Sequence, residues 1–244
     1  MKMLKQIKNL KNKRVLVRVD FNVPLKNKKI LEDTRMREAL PTIKYLMKAK
    51  ARVILVAHLG RPDGKVVRAL KLDPIAVHLS QLLGQKVKKL ETKDFKFKQK
   101  EKEYFNKQIK NMAPGQVIMF DNIRFSPDES KNTGTLAEDL AEMADIFVQE
   151  GFAVAHRDDV SVAGVAKYLP SYAGMLLEKE IKGLEKVMKH AKKPFVFILG
   201  GVKVKTKVPM IHNLMSKIDN ILIGGAIFNT YLKLKGYKIG ASVS

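Results

Sequence analysis

Five loops hold the residues whose types and spacing could do chemistry. They are Asp20-Phe21-Asn22; Thr34-Arg35; His58-Leu59-Gly60-Arg61-Pro62; Asp121-Asn122-Ile123-Arg124-Phe125; and Ala155-His156-Arg157. Each follows a predicted strand or lies just beyond one. A guanidinium fork matches a phosphate or carboxylate through two parallel hydrogen bonds. Each charge-assisted bond contributes roughly 1.5–3 kcal/mol, so three or four would hold a small phosphorylated acid. Taken singly, every loop has a plainer reading. A lone arginine after a strand is usually a solvated surface residue, Asp20 or Asp121 caps a helix, and His156 is a satisfied structural histidine. Together they point to a polyanionic small molecule bound along one sheet edge.

Gly200-Gly201-Val202-Lys203-Val204-Lys205-Thr206-Lys207 is a second constellation. Glycines admit a ligand close to the backbone. Lys203 and Lys207 stand four apart near a predicted helix start, a natural place for a phosphate. The GxxxxGK[ST] spacing of a Walker A loop is absent. The plainer reading here is a glycine turn with solvent lysines. Gly224-Gly225 adds a second close-approach loop on the same predicted edge. There is no cysteine, hence neither a disulfide framework nor a thiolate site. No metal-ligating set is assigned.

Strands and helices must position these loops. Residues 15–19 alternate with charge, Arg18 being the polar position, and are otherwise β-branched or aliphatic, which predicts a strand, and Pro24 stops it. Residues 34–50 carry Met36, Leu40, Ile43, Leu46 and Met47 at helical spacing, with a break or restart expected at Pro41. Residues 52–59 form a nearly continuous apolar strand, as expected when both faces are covered. Helices are predicted over 74–83, 107–112 and 135–144, and strands over 86–90, 116–120 and 145–149. This alternation argues a doubly wound, Rossmann-like α/β fold with right-handed parallel crossovers, in which ligands bind outside the strands' carboxyl ends. A long charged helix over 176–192, with Leu177, Ile181, Leu184 and Met188 in one stripe, reads as an interdomain connector. A new series follows: strand 195–199, helix 208–218, strand 221–223, helix 228–235. The expected domains are an α/β domain over 1–172, a connecting helix over 173–193, and the first part of a second α/β domain over 194–244.

The chain has 244 residues and a formal net charge of +23, from 47 Lys+Arg against 24 Asp+Glu. Such a balance raises nucleic acid as a partner. Most of the excess is lysine spread along the whole chain, however, and between 93 and 110 it is interleaved with Glu101, Glu103, Phe95, Phe97 and Tyr104. That looks like an exposed connection followed by a helix. No window reaches a membrane-spanning length of apolar residues, and residues 1–6 lack a signal-peptide core, so a cytoplasmic protein is expected.

Seven ordered motifs resemble those of phosphoglycerate kinases across essentially the whole chain. They are VDFNVP at 19–24, TRMREALPTI at 34–43, HLGRP at 58–62, DNIRF at 121–125, AHR at 155–157, ILGGVKVKTK at 198–207 and IGGA at 223–226. The resemblance implies two doubly wound domains facing each other across a cleft, with 3-phosphoglycerate on the first and magnesium nucleotide on the second. It implies that Asp20, Phe21, Asn22, Arg35, His58, Leu59, Gly60, Arg61, Arg124 and Arg157 form the phosphoglycerate site. It also implies that Gly200, Gly201, Lys203, Lys207, Gly224 and Gly225 form the nucleotide site, and that Arg35 and Lys207 neutralise the transferring phosphoryl group.

The implied reaction is reversible phosphoryl transfer between 1,3-bisphosphoglycerate and ADP, giving 3-phosphoglycerate and ATP. It needs in-line positioning and charge neutralisation more than covalent help, which suits arginines, lysines and glycine loops. The implied partners are these small molecules, with magnesium carried by ADP or ATP, and neither nucleic acid nor membrane; the complete protein would be a monomer. The sequence departs from the family in reading Gln149-Glu150-Gly151-Phe152 where Asn-Asp-Ala-Phe is usual. Its glycine run after Ile223 is short, and the later part of the nucleotide domain, with its magnesium-binding aspartate, is not in the chain. Binding of 3-phosphoglycerate without turnover is therefore expected. A competing class is a basic nucleic-acid-binding protein on an α/β scaffold. Steep salt dependence would mark that reading, and competition by 3-phosphoglycerate the first.

Overall fold

Strand β1 (Arg14–Arg18) lies inside a six-stranded sheet with neighbours on both sides. A short hairpin of β2 (Leu25–Lys26) and β3 (Lys29–Ile30) follows it. The chain then runs through α1 (Thr34–Lys48), β4 (Arg52–Val56), α2 (Asp73–Leu83), β5 (Lys88–Leu90), α3 (Gln99–Lys110) and β6 (Val117–Phe120). After these come α4 (Leu136–Glu142), β7 (Ile146–Gln149), β8 (Ser171–Ala173) and α5 (Met175–His190). This computed structural model describes residues 1–92, 98–202 and 207–244.

The sheet order is β5-β6-β4-β1-β7-β8, and every pairing in it is parallel. Val15 is level with Val53 and Ile146, and Val53 with Val117, so the central strands end along one line. Alternate residues sort to opposite faces. Val15, Val17, Val53 and Leu55 pack with Met36, Ile43 and Leu46 of α1 and Ile75 and Leu79 of α2. Leu16, Ile54, Ile118 and Phe147 pack with Phe105 and Ile109 of α3 and Leu136 and Leu140 of α4. Helices on both faces explain why the strands read as unbroken apolar runs, and they make this the doubly wound α/β fold that the sequence predicts.

The structure corrects two readings and adds two elements. Helix α1 passes through Pro41 without a break; Pro41 is on its exposed side, while Met36, Ala39, Ile43 and Leu46 hold the other side in the core. Helix α3 starts at Gln99, well before residue 107, because Phe105 and Ile109 anchor its single buried stripe. Hairpin β2–β3 and strand β8 had no sequence prediction. Strand β8 is three residues long and owes its place to pairing with β7.

The chain divides into two compact units, Met1–Glu180 and Ile181–Ser244, and the division falls within α5. In the second unit, β9 (Val196–Leu199), α6 (Val208–Leu214), β10 (Asn220–Ile223) and α7 (Gly225–Leu234) follow in order, and β9 and β10 pair in parallel.

Candidate active site

The sheet order assembles the site. Strands β6, β4, β1 and β7 are consecutive in the sheet, so the loops that follow them stand side by side, about 4.8 Å apart per strand. These loops carry Arg124, His58 with Arg61, Asp20 with Asn22, and Arg157.

Buried hydrogen bonds fix the loops to one another. The Asn122 side chain is fully buried: its Oδ1 accepts from the N–H groups of Leu59 and Arg124, both at 3.2 Å. Its Nδ2 donates to the carbonyls of Leu59 (2.7 Å) and Leu70 (3.0 Å). The Gly60 N–H donates to Asn22 Oδ1 at 3.0 Å, and its carbonyl accepts from Arg124 Nη1 at 2.9 Å. Gly60 sits at φ +62°, and a Cβ there would meet Leu70 at 2.9 Å, so the turn requires glycine. Asp121 is structural as well. It accepts from Leu72 N–H (2.9 Å) and from Lys89 Nζ (2.8 Å). Burial opposes the Lys89 charge, but Asp121, Glu91 and Asp73 outweigh it and hold the ammonium well above its ordinary pKa.

Arg61, Arg124 and Arg157 line a hollow of about 130 Å³ together with Asp63 and Ser130. The Nε atoms of Arg124 and Arg157 are buried without a hydrogen-bond partner. The carboxylate of Asp159 is 3.6 Å from Arg124 Nη2, an ion pair beyond hydrogen-bond reach. A buried donor left unpaired costs about 1–3 kcal/mol. Arg35 donates to Asp20, and both line a second hollow of about 180 Å³ beside Gly151 and Phe152. A Cβ at Gly151 would lie 3.2 Å from the Asp20 nitrogen, so this loop approaches β1's end closely. A roomier hollow of about 590 Å³ lies between β2–β3 and α2, but His78 there is already held by Asp33 at 2.7 Å.

His58 is 3% exposed. Burial, then the charges of Arg18, Arg124, Arg157 and Arg35, push its imidazole down to about 2, so it is neutral. Phe21 and Leu59 are core residues, and their side chains anchor the loops. His156 is exposed. Sequence reasoning named Asn122 within its loop without a role, and it missed Arg18, Glu129 and Ser161. Arg18 looked like the polar alternate of a strand, yet its 0% exposure makes it a buried charge beside His58.

In the second unit, Gly200, Gly201, Gly224 and Gly225 come together at the carboxyl ends of β9 and β10. The Gly224 N–H donates to Leu199 O at 2.9 Å, and a Cβ at Gly225 would lie 3.7 Å from the Gly201 nitrogen. Gly201 has φ +116°, and Lys207 Nζ bonds to the Gly200 carbonyl. Lys203 lies outside the described residues.

A family model described as phosphoglycerate kinase matches residues 4–244. The chain belongs to the phosphoglycerate kinase family. The phosphoglycerate kinase of Dictyoglomus turgidum is 52% identical over 235 residues, which are 96% of this chain and 57% of that protein. That of Moorella thermoacetica is 48% identical over 238 residues, 96% of this chain and 58% of that protein. Among solved structures, phosphoglycerate kinase from Coxiella burnetii matches with a TM-score of 0.82 and 42% identity, covering 99% of this chain and 59% of that one. The Pyrococcus horikoshii enzyme matches at 0.84 and 33% identity, covering 98% of this chain and 59% of that one. The chain thus spans less than two thirds of the family members it matches. Among the described residues, no helix is long and apolar enough to cross a membrane.

Proposed function

We propose that this chain carries the 3-phosphoglycerate site, and part of the nucleotide site, for reversible phosphoryl transfer between 1,3-bisphosphoglycerate and ADP. The observation that carries this reading is the hollow lined by three guanidinium side chains, Arg61, Arg124 and Arg157. A phosphate or carboxylate is the complement of such a set. Asp20, Asn22, His58 and the Gly60 turn complete the binding surface, with Phe21 and Leu59 supplying backbone only. Arg35 and Lys207 act on the transferring group, each now held by a replaceable intramolecular partner, Asp20 and the Gly200 carbonyl. Gly200, Gly201, Gly224, Gly225 and Lys203 receive the nucleotide phosphates, and magnesium enters with the nucleotide. As part of a glycolytic enzyme the chain would act in the cytoplasm, as a monomer, on free metabolites.

Titration of the chain with 3-phosphoglycerate in a calorimeter tests the site. Saturable one-to-one binding that weakens with salt is expected, and it should be lost in Arg124→Gln. Absence of binding by a folded chain would end the proposal.

A further inference from the structure

Arg18 closes strand β1 with a guanidinium that is 0% exposed. Three acceptors take up its donors: Ser161 Oγ from Nε at 2.8 Å, the Val19 carbonyl from Nη1 at 2.6 Å, and His58 Nδ1 from Nη2 at 3.0 Å. Behind Ser161 stands Glu129, also 0% exposed. Its Oε1 accepts from Ser161 Oγ at 2.5 Å and its Oε2 from Ser161 N–H at 3.0 Å.

With Glu129 ionised, the direction of every bond in this chain is fixed. A guanidinium has donors only. Since Arg18 donates to Ser161 Oγ, the hydroxyl proton goes to Glu129, whose two oxygens both accept. Since Arg18 donates to His58 Nδ1, that nitrogen holds a lone pair, and the ring proton is on Nε2. No described residue takes up Nε2–H, and the atom is not among the buried polar atoms that lack a partner.

We propose that Glu129, Ser161 and Arg18 form a buried positioning relay that holds His58 neutral, with its proton on Nε2, as a directed hydrogen-bond donor beside the arginine hollow. The purpose of the relay rests on the anion-site reading above, while its geometry does not. The groups facing Arg18 are Glu129, Asp20, Asp159 and Arg124, and those facing His58 are Arg18, Arg124, Arg157 and Arg35. Burial lowers the Arg18 pKa and the nearby carboxylates oppose that. Burial raises the Glu129 pKa, with Arg18 and Ser161 pulling against it. A fifth cation among these arginines would be repelled. A neutral donor instead adds direction, and the relay keeps the ring from flipping or exchanging tautomers.

Ring ¹⁵N spectra of the full chain without ligand test this, with the His58 signal assigned by its loss in His58→Gln. The wild type should show the Nε2–H tautomer alone, with no protonation down to about pH 5, well below the ordinary imidazole value of ~6.5. In Ser161→Ala and in Arg18→Lys, where a point charge cannot serve both Ser161 and His58, a second tautomer should appear. Affinity for 3-phosphoglycerate should fall about tenfold. An Nδ1–H ring or ordinary titration in the wild type would overturn the proposal, as would a single unchanged tautomer in folded Ser161→Ala. The wild-type spectrum decides alone if neither variant folds. Because the ring is read without ligand, failure here is distinct from failure to bind 3-phosphoglycerate.

Discussion

The arginines of the hollow differ in what each gives up to be there. Arg124 is nearly buried and tied to the Gly60 carbonyl, whereas Arg61 is exposed and reaches in from the rim. Arg61→Lys keeps the charge and loses the fork. It should weaken 3-phosphoglycerate about tenfold by calorimetry, the loss of one charge-assisted hydrogen bond, and leave thermal stability unchanged. Glu150, where the family resemblance leads one to expect aspartate, has a different effect. Its side chain is fully buried: Oε1 accepts from Leu176 N–H at 3.2 Å, and Oε2 is without a partner above Gly174, which leaves no room for a Cβ. Burial pushes the carboxyl up to about 8, with bonds from Thr42 and Leu176 opposing. In the unfolded chain it titrates near ~4.3, so between the two values the folded chain binds the extra proton. This group's stabilising contribution is therefore complete below the unfolded value, falls as pH rises, and is gone above about 8. His58, held neutral, acts in the opposite sense: stability is lost as pH falls below ~6.5. Comparison with Glu150→Gln cancels that term. Urea midpoints should show the wild type losing a few kcal/mol relative to the variant between about pH 5 and 8. Parallel pH profiles would mean that Glu150 ionises freely.

Helix α1 shows how burial overrides a local signal. Pro41 removes a backbone donor and crowds the carbonyl of Arg37, a penalty of up to ~3 kcal/mol in a helix interior. The helix survives because Met36, Ala39, Ile43 and Leu46 are all buried, and the freed carbonyl is on the solvent side with Pro41 itself. Pro41→Ala should restore that hydrogen bond and raise stability by about 1 kcal/mol or more, read as a higher urea midpoint with an unchanged slope. The same contrast explains what was legible in the sequence. Strands β1, β4, β6 and β7 announce themselves as apolar runs because both faces are covered, and the loops after them could be named before any coordinates. Which loops are adjacent could not be named, since the order β6-β4-β1-β7 is set by long-range pairing, Val15 with Val53, Val53 with Val117 and Val15 with Ile146. Strand β8 and the β2–β3 hairpin are too short to carry a pattern. Arg18, Glu129 and Ser161 have ordinary polar identities, and only their burial and mutual bonds give them a role.

At the scale of the whole chain, the two units differ in how much apolar surface they bury. In Met1–Glu180, strands β1, β4 and β6 are essentially closed to solvent, with helices on both faces. Among the described residues of Ile181–Ser244 the sheet has two strands, and Ile198 is 76% exposed, Leu222 56% and Leu234 82%. A two-stranded sheet with so little burial is marginal by itself, and its open edge invites association. Heating should therefore give two transitions, the second unit melting first. Amide exchange should be fast through β9 and β10 and slow through β1 and β4. Because 3-phosphoglycerate binds the first unit in the proposed function, it should raise only the upper transition, by the mass-action amount set by its concentration over Kd. Phosphoryl transfer is a harder demand. It requires Lys207 and the loops at Gly200 and Gly224 to be placed to within about 1 Å, since an error of that size costs on the order of 10²-fold in rate. Loops at the ends of two loosely covered strands do not hold that tolerance. The 244-residue chain, given 3-phosphoglycerate, ATP and magnesium, should form no 1,3-bisphosphoglycerate above background while still binding 3-phosphoglycerate. Turnover comparable to that of a two-domain enzyme, in a preparation whose lower transition is intact, would show that the second unit is more rigid than its exposed strands indicate.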